Sequence, residues 1–445
     1  MSKKTEKNNV IGYLPDETPS WGKLIIFAFQ QVLVMFPATV TVALLTGFHV
    51  STAIFASGLA TICFLLITRG KIPLYFGSSF SYIAAVCGIT GASFGQIAPD
   101  ALISKAQFGI ICSGVISILA GLVVSRFGME KIEKVLPATV TGSIAIIIGI
   151  SLAGSAITEA AGFDSATGLS DSRAWIAAIV TLAATVIFSV YLKGVWGQIP
   201  ILLGILVGYI TSIALGLVNF SGVMQDGIIT VPHFTLPSPN LTSVLAIMPI
   251  AIATIPESTA HLFQLDIYVN DLAKKKGKPE YKISDKLGLN LVGDGVGDIV
   301  ASLFGGPGGT NYGENISTMA ITKNFSVKML GAAAVLSMVL SFFSPISNLI
   351  DTVPSAVING ACIFLFGVIG VQGVAIMINK KVDLFDARNL AVVAVTLIIG
   401  LGGYYGFPNS MIPIFGIEMP AISTAAIVGI VLNLILSIGR EKETT

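Results

Sequence analysis

Long apolar runs that recur from Leu24 to Ile438, with only short polar breaks, restrict the fold of this chain more than any other feature. Each run has roughly the 17 to 25 residues that an α-helix needs to cross the hydrocarbon core of a bilayer. We count about fourteen such windows, two or three of them short or interrupted by glycine. Only 11% of the 445 residues are charged, against about a quarter in soluble domains. The sequence therefore predicts an all-α, polytopic membrane protein.

The positions of lysine and arginine predict the orientation of these spans, because cytoplasmic loops carry an excess of both residues. If fourteen spans follow a cytoplasmic N-terminus, only Lys105 and Arg173 fall on the outer side. An odd number of spans would distribute the basic residues over both faces. Both termini are therefore expected in the cytoplasm, and the basic loops indicate topology rather than a nucleic-acid surface.

An internal repeat relates the two halves of the chain. LPATVTGSIAIIIG (136–149) resembles VPSAVINGACIFLFG (353–367), since each has a proline, a glycine five or six residues later, and another glycine seven residues beyond that. The two segments are separated by close to half the chain. Because seven is an odd number of spans, the two halves would have opposite orientations in the membrane. The sequence thus predicts two inverted repeats of seven transmembrane segments each.

Two segments interrupted by glycine, KIPLYFGSSFSYIAAV (71–86) and GGPGGTNYGENISTMAIT (305–322), are candidates for the third span of each half. In transporters built from repeats, broken spans meet near the bilayer midplane and their helix ends face the substrate. Irregular backbone survives at that depth only when it is buried in protein or lines a cavity. We therefore expect the two segments to meet at one central site, with GGPGG supplying flexibility at the break.

Three ionisable side chains fall inside apolar spans, where charge is expensive and usually marks an ion or substrate path. Glu257 and His261 lie four residues apart, on one helix face, and Glu314 lies in the second broken segment. A structural network that ties helices together is the alternative for all three. For Asp294 and Asp298, in LVGDGVGDIV, a coupling role and a structural role carry equal weight.

The remaining chemistry-bearing residues predict neither a metal site nor a catalytic site. His49 and His233 are expected in solvated outer loops, and the four cysteines lie in apolar spans without metal-ligand spacing. The sequence contains no constellation of nucleophile and base and no phosphate-binding glycine loop. An enzyme is therefore disfavoured, and no cofactor is expected.

Two carboxylates beside freed backbone amides suit a small neutral ring that carries N–H groups. A carboxylate accepts hydrogen bonds through both oxygens, and the amides around Phe80 and Gly313 would donate to carbonyl oxygens of the ring. Two negative groups would also repel an anion, which disfavours an anion exchanger of related architecture without removing that alternative. A channel is the other alternative, and it would show conductance rather than saturable uptake.

Three stretches carry a specific resemblance: GKIPLYFGSSFSYI (70–83), PESTAH (256–261) and above all TNYGENISTMAITK (310–323). They look like the nucleobase-ascorbate transporter family, and within it the uracil-permease branch. QQVLVMFPATV (30–40) and VPSAVINGACIFLFGVIG (353–370) match as well, so the resemblance runs over nearly the whole chain.

The resemblance implies fourteen spans in two inverted repeats, with short antiparallel strands in the broken spans 3 and 10 and the base held where they cross. It also implies a core domain (spans 1–4 and 8–11) and a gate domain (spans 5–7 and 12–14). The boundaries expected here are a cytoplasmic tail at 1–23, the core domain at 24–135 and 241–350, the gate domain at 136–240 and 351–438, and a second tail at 439–445. The expected assembly is a homodimer in the cell membrane, in a bacterium the inner membrane.

Matched residue by residue, the family pattern makes Glu257 and Glu314 the acceptors for the N–H groups of a pyrimidine. The backbone amides of Phe80 and Gly313 would donate to its carbonyl oxygens. Purine-transporting members tend to carry glutamine at the position of Glu314, so the resemblance favours a pyrimidine.

The resemblance also assigns the residues around the ring. Ala38, Tyr312 and the Phe80 ring would pack against the faces of the base, and His261 would join Glu257 in proton coupling. The residues expected to support this site are Ser79, Ser258, Gln31, Asp294 and Asn315.

The chain departs from the family pattern at several positions. Ser258 replaces the first histidine of an EHxGH sequence, and Gln31 stands where a glutamine–histidine pair usually has its histidine. Pro37 and Ser317 each replace a glycine. These departures bear on the path of the proton and on base preference, while both carboxylates are retained.

The predicted function is import of a nucleobase, first of all uracil, by proton symport with alternating access. The coupling ion would be H⁺. Transport of xanthine or another base, or coupling to sodium, is the nearest alternative.

Overall fold

The computed structural model describes residues 12–92, 95–128, 136–164, 167–194, 196–220, 227–414 and 417–438. Most of these residues are helical, as the apolar runs predict. In chain order the α-helices are α1 (Trp21–Thr46), α2 (Val50–Ile67), α3 (Ile83–Thr90), α4 (Asp100–Phe127), α5 (Ala138–Ser151), α6 (Ala153–Ala160), α7 (Ser172–Tyr191), α8 (Pro200–Ala214), α9 (Leu241–Ile247), α10 (Ala251–Lys276), α11 (Leu287–Leu303), α12 (Gly313–Thr322), α13 (Val327–Leu340), α14 (Ser344–Asp351), α15 (Ser355–Asn379), α16 (Ala387–Gly406) and α17 (Ala421–Ser437).

Eight helical stretches of the described chain are long and apolar enough to cross a membrane, and four shorter helices are also apolar. The short ones are the stretch Phe80–Thr90, which includes α3, and α8, α13 and α17. The prediction of a polytopic helical membrane protein is therefore confirmed. The count of fourteen spans and their inverted repeat stay predictions.

Two pairs of short strands interrupt the helices. β1 (Phe76–Ser78) pairs antiparallel with β2 (Gly309–Asn311), and Gly77 faces Thr310 in the register. These strands occupy the two glycine-interrupted segments, where the family resemblance implies them. A second pair, β3 (Met411–Ile414) with β4 (Ile417–Pro420), precedes α17 and was not expected from the sequence.

The helices pack in two sets. In one set α4 packs on α11, α2 on α11 and α13, and α1 on α13. In the other set α5 packs on α15 and α16, α7 on α8, and α16 on α17. The strands β1 and β2 belong to the first set, because β1 contacts α2 and β2 contacts α11. The central strand pair is thus surrounded mainly by one of the two sets.

Glycine allows α4 and α11 to approach each other closely. A Cβ atom added to Gly114 would lie 2.6 Å from the carbonyl oxygen of Gly295, and one added to Gly295 would lie 2.3 Å from that of Gly114. Both distances are too short for a carbon atom. Small residues at such contacts let membrane helices pack backbone against backbone, which dispersion forces favour.

The segment before α1 is fastened to the C-terminal ends of α12 and α10. The Tyr13 amide donates to the Lys323 carbonyl, and the Phe325 amide donates to the Tyr13 carbonyl, both at 2.8 Å. Glu17 accepts hydrogen bonds from Lys276 at 2.5 Å and from Lys278 at 2.9 Å. Although partial burial opposes ionisation of Glu17, these two ammonium groups and the Leu14 amide hold its pKa down at about 2.

We expect Glu17→Gln to lower the melting temperature of the detergent-solubilised protein at neutral pH. The pKa of Glu17 is lower in the folded protein than its ordinary value of 4.5. The contribution of Glu17 to folding stability is therefore complete at pH values above 4.5 and disappears as the pH falls towards about 2. The melting-temperature difference between the two proteins should therefore be constant from pH 8 to pH 6 and shrink below about pH 4.5.

The exposed Glu280, in the loop after α10, supplies the control. Glu280→Gln removes the same charge without removing the contacts of Glu17 and should leave the melting temperature unchanged. An equal effect of both substitutions would mean that net charge, and not the contacts of Glu17, sets the difference.

Candidate functional site

The two strands of the central pair each lead directly into the N-terminus of a helix. β1 is followed by a 3₁₀ turn, Phe80–Tyr82, that continues into α3, and β2 is followed by α12, which begins at Gly313. The Ser79 amide extends the pairing by donating to the Gly308 carbonyl at 3.0 Å. Two helix N-termini, with their unpaired backbone amides, therefore meet at the strand crossing.

The glycines of this crossing are required by close packing. A Cβ atom on Gly309 would lie 2.4 Å from the Gly77 carbonyl oxygen, and one on Gly77 would lie 2.3 Å from the Tyr312 ring. Within the GGPGG run, Gly308 lies against the Tyr82 ring in the same way. Only the first glycine of that run, Gly305, has a left-handed backbone, with φ +89°. Close approach, more than the flexibility expected from the sequence, explains the run.

Side chains from neighbouring helices complete the hydrogen bonds of the strands. Ser57 and Thr61 of α2 donate to the Phe76 carbonyl at 2.8 and 3.0 Å, and the Phe76 amide donates to Thr61 at 3.0 Å. On the other strand, Asp298 of α11 accepts from the Gly309 amide at 2.7 Å and from the Tyr82 hydroxyl at 2.9 Å. Asp298 thereby connects the two broken segments, which favours the structural role among its two alternatives.

Glu257, Glu314 and His261 come together beside the crossing. Ser81, in the turn after β1, donates to a carboxylate oxygen of Glu257 at 3.3 Å. Glu314 lies in the first turn of α12, where a helix N-terminus favours negative charge. Its side chain is exposed.

His261 lies against the backbone at the start of α12. A Cβ atom on Gly313 would lie 2.8 Å from Nε2 of His261, so no larger residue than glycine fits there without a shift. Among the described residues, Nδ1 of His261 has no hydrogen-bond partner although it is buried. The geometry therefore brings together the three ionisable residues that the sequence singled out.

Ser258 belongs to a buried polar cluster behind the carboxylates. Its hydroxyl donates to Asp294 and accepts from the side-chain amides of Asn290 at 2.7 Å and Asn311 at 3.1 Å. The cluster ties α10 and α11 to the end of β2. Ser258 and Asp294, which the sequence predicts to support the site, are thus hydrogen-bonded to each other, while Asn290 and Asn311 were not foreseen.

Tyr312, Ala38 and Phe80 lie around the crossing in different environments. The Tyr312 hydroxyl donates to the Ser78 carbonyl at 3.0 Å and shares a 2.9 Å hydrogen bond with Thr39. Only 4% of Tyr312 is exposed, so most of its ring surface packs against protein. Ala38 and Phe80 are partly buried, so part of each side chain remains accessible.

Three further predicted residues lie nearby: two of them connect α1 to α12, and the third orders the turn after β1. Asn315 donates to the side chain of Gln31 at 2.7 Å and to its carbonyl at 3.0 Å, and both residues are buried. Ser79 accepts from the Ser81 amide at 3.2 Å, which orients the residue that donates to Glu257.

Sequence reasoning missed Thr39, Ser81, Asn290 and Asn311. A signal existed for one of them, because Asn290, Asp294 and Asp298 recur every four residues and so form a polar stripe on one face of an apolar helix. Thr39, Ser81 and Asn311 are uncharged and lie in segments without that periodicity. Their importance follows from contacts between distant segments, which no local pattern contains.

Comparison with known proteins places the chain among permeases. The model of the permease family, Xan_ur_permease, matches residues 22–409. The chain is 37% identical to the uracil permease of Bacillus subtilis (strain 168), across 100% of this chain and 98% of that protein. It is 36% identical to the uracil permease of Bacillus caldolyticus, across 94% of this chain and 93% of that protein.

Solved structures of anion transporters share the fold. The inward-facing structure of murine Solute Carrier 26 family member A9 superposes with a TM-score of 0.66 at 13% identity, over 96% of this chain and 69% of that one. The transmembrane domain of the cyanobacterial bicarbonate transporter BicA gives a TM-score of 0.55 at 14% identity, over 94% and 97% of the two chains. At these identities the likeness extends to the fold alone.

We expect Gly309→Ala to lower the stability of the protein and to weaken the binding of any molecule held at the crossing. The added methyl group would meet the Gly77 carbonyl at 2.4 Å, and overpacking of this kind costs about 1–3 kcal/mol. Thermal unfolding in detergent measures the change. Gly331→Ala in α13 is the matched control, because its added Cβ meets nothing within 4 Å and alanine favours helix. A Gly309→Ala protein as stable as the Gly331→Ala protein would contradict the close packing.

Proposed function

Because this chain belongs to the permease family of nucleobase-ascorbate transporters, we propose that it imports uracil across the cell membrane together with a proton. It is an integral multi-pass membrane transporter and not an enzyme. The full-length similarity to proteins named uracil permease supports uracil as the substrate. The observation that carries the proposal is the position of two carboxylates on different helices at the strand crossing: Glu257 of α10 accepts from Ser81 of the first broken segment, and Glu314 lies in the first turn of α12.

Uracil offers two N–H donors and two carbonyl acceptors, and the site offers the complementary groups. Glu257 and Glu314 would accept the N–H groups, and the backbone amides of Phe80 and Gly313 would donate to the carbonyls. Charged acceptors make hydrogen bonds roughly twice as strong as neutral ones. The accessible parts of Ala38 and Phe80 would cover the ring faces, and Tyr312, held against Gly77, would fix the edge of the pocket.

Proton coupling requires a group that changes its protonation as uracil binds. His261 is suited to this role because its ring lies against Gly313, one residue from Glu314, and on the same helix as Glu257. The buried polar cluster around Ser258 and Asp294 offers a hydrogen-bonded connection where the family usually has a histidine. By linkage, the proton must then strengthen uracil binding by the factor by which uracil strengthens proton binding.

The packing supports fourteen spans in two inverted repeats with a core and a gate domain. The related segments 136–149 and 353–367 begin α5 and α15, and a proline, Pro137 or Pro354, is the N-cap residue of each. β1 and β2 each precede a helix N-terminus in the same way. Apart from the first three residues of α1, the first set of helices lies within the proposed core ranges 24–135 and 241–350, and the second set lies within the gate ranges 136–240 and 351–438. Transport would move one set against the other, with both termini in the cytoplasm and dimers formed through the gate.

Glu314→Gln is expected to weaken uracil binding roughly ten- to a hundredfold, since a hydrogen bond to a charged group contributes about 1.5–3 kcal/mol. Binding of labelled uracil to the purified protein, in competition with unlabelled uracil, thymine and xanthine, measures the loss. Glu280→Gln, on the exposed loop after α10, is the control and should bind uracil normally. If the unaltered protein shows no uracil-displaceable binding of labelled uracil, or if xanthine displaces the label at much lower concentration than uracil does, the proposed substrate is wrong. Normal binding by Glu314→Gln would return Glu314 to a structural role.

Uptake into proteoliposomes tests the coupling ion. We expect accumulation of labelled uracil against its gradient when an inward proton gradient is imposed, and loss of accumulation when an uncoupler dissipates it. Glu257→Gln and His261→Gln should each retain exchange of internal for external uracil better than proton-driven accumulation, because exchange needs no net proton movement. Accumulation that depends on sodium, or on no cation gradient, would refute proton symport while leaving uracil transport intact.

A further inference from the structure

Two of the three histidines of this chain meet at one end of the fold, far along the sequence from each other. The rings of His49 and His233 have centroids 4.4 Å apart, tilted by 39°. Nε2 of His233 lies 2.9 Å from a carboxylate oxygen of Asp100. One ligand atom from each of the three residues lies within 4.8 Å of the other two. The sequence predicted separate solvated loops for the two histidines, but the fold brings them together.

Ordered elements hold all three residues in place. His49 immediately precedes α2, and Asp100 is the first residue of α4. His233 lies in the extended segment 227–238, which connects α8 to α9, and its carbonyl accepts from Thr52 of α2 at 2.7 Å. Two residues later, Thr235 and Gln107 of α4 exchange hydrogen bonds of 2.8 and 2.9 Å. The three side chains are therefore positioned by two helix ends and a segment bonded to both helices.

We propose that His49, Asp100 and His233 form a binding site for a divalent transition-metal ion of the Zn²⁺ type. Ligand distances of about 2.0–2.2 Å to nitrogen and oxygen place the ligand atoms of a tetrahedral site about 3.4 Å apart. Small side-chain rotations bring the present atoms to that spacing. Two imidazoles and one carboxylate, with a fourth position open to water, are a ligand set of zinc and exclude Ca²⁺ and Mg²⁺ as the preferred ions.

The surroundings favour a cation over a simple histidine–aspartate ion pair. His233 and Asp100 are about half exposed, with 51% and 58% of their side chains accessible, so an ion can reach them. A cavity of about 420 Å³ borders both histidines and is also lined by Asp351, a second carboxylate.

A bound ion would fasten the segment 227–238 to the ends of α2 and α4. Two backbone hydrogen bonds already attach this segment to its neighbours. The Thr230 amide donates to the Phe342 carbonyl at 2.9 Å, and the Ser238 amide donates to the Ser104 carbonyl at 2.8 Å. The connection from α8 to α9 joins the two sets of helices. Metal binding there would restrain the linker between them, whatever molecule the protein transports.

Metal titration of the full-length protein, purified in detergent without an affinity tag, tests the site. We expect Zn²⁺ to bind with a stoichiometry of one and Co²⁺ to give the visible absorption bands of a low-coordinate nitrogen and oxygen site. His49→Gln, Asp100→Asn and His233→Gln should each weaken Zn²⁺ at least about tenfold, as removal even of supporting groups does. His261→Gln, which changes the third histidine, is the matched control and should bind Zn²⁺ as the unaltered protein does.

Amide hydrogen exchange supplies a readout that does not depend on transport. Exchange across 228–238 should slow on addition of Zn²⁺ to the unaltered protein and to His261→Gln, and should not slow in the three ligand variants. Three results would overturn the site: no chelator-reversible binding, unchanged affinity in all three ligand variants, or near-ultraviolet thiolate bands with Co²⁺ that assign the ion to a cysteine.

Discussion

The antiparallel pairing of β1 with β2 is the interaction on which the rest of this structure depends. Hydrocarbon cannot satisfy the backbone of a broken span, so irregular segments must find every partner within the protein. Here the two segments satisfy each other along Phe76–Ser78 and Gly309–Asn311, and Ser57, Thr61 and Asp298 complete the bonds that the pair leaves open. Because such a pair closes only when both halves of the chain have folded together, the site at its ends is a product of the whole molecule.

The four acidic residues near the crossing differ in their exposure. Asp298, which accepts from the Gly309 amide and the Tyr82 hydroxyl, and Asp294, which accepts from Ser258, are both buried. Glu257, which accepts from Ser81 at 3.3 Å, is partly buried, and Glu314 is exposed. A carboxylate must be accessible from solution to bind a substrate, and the two buried ones are not. The contrast supports Glu257 and Glu314 as the groups that meet a substrate.

The fold that this chain shares with anion transporters does not determine its chemistry. The murine and cyanobacterial structures superpose on nearly its whole length, yet two ionised carboxylates at the crossing would repel anions and attract N–H donors. The proposed metal site on the segment 227–238 follows the same principle, that a site depends on its side chains and not on the fold. There a few polar side chains placed on a common scaffold would create a distinct site.

The sequence by itself determined the membrane character, the two broken segments and the three ionisable residues Glu257, His261 and Glu314, because apolar length, glycine interruption and buried charge are local properties. It did not determine that the glycines serve close contact, that Asn311 and Ser258 share a cluster, or that His49, Asp100 and His233 meet. These depend on which surfaces of distant helices face each other, as with Gly114 and Gly295 between α4 and α11. Contacts of that kind arise from packing in three dimensions, which a single local pattern in the chain cannot encode.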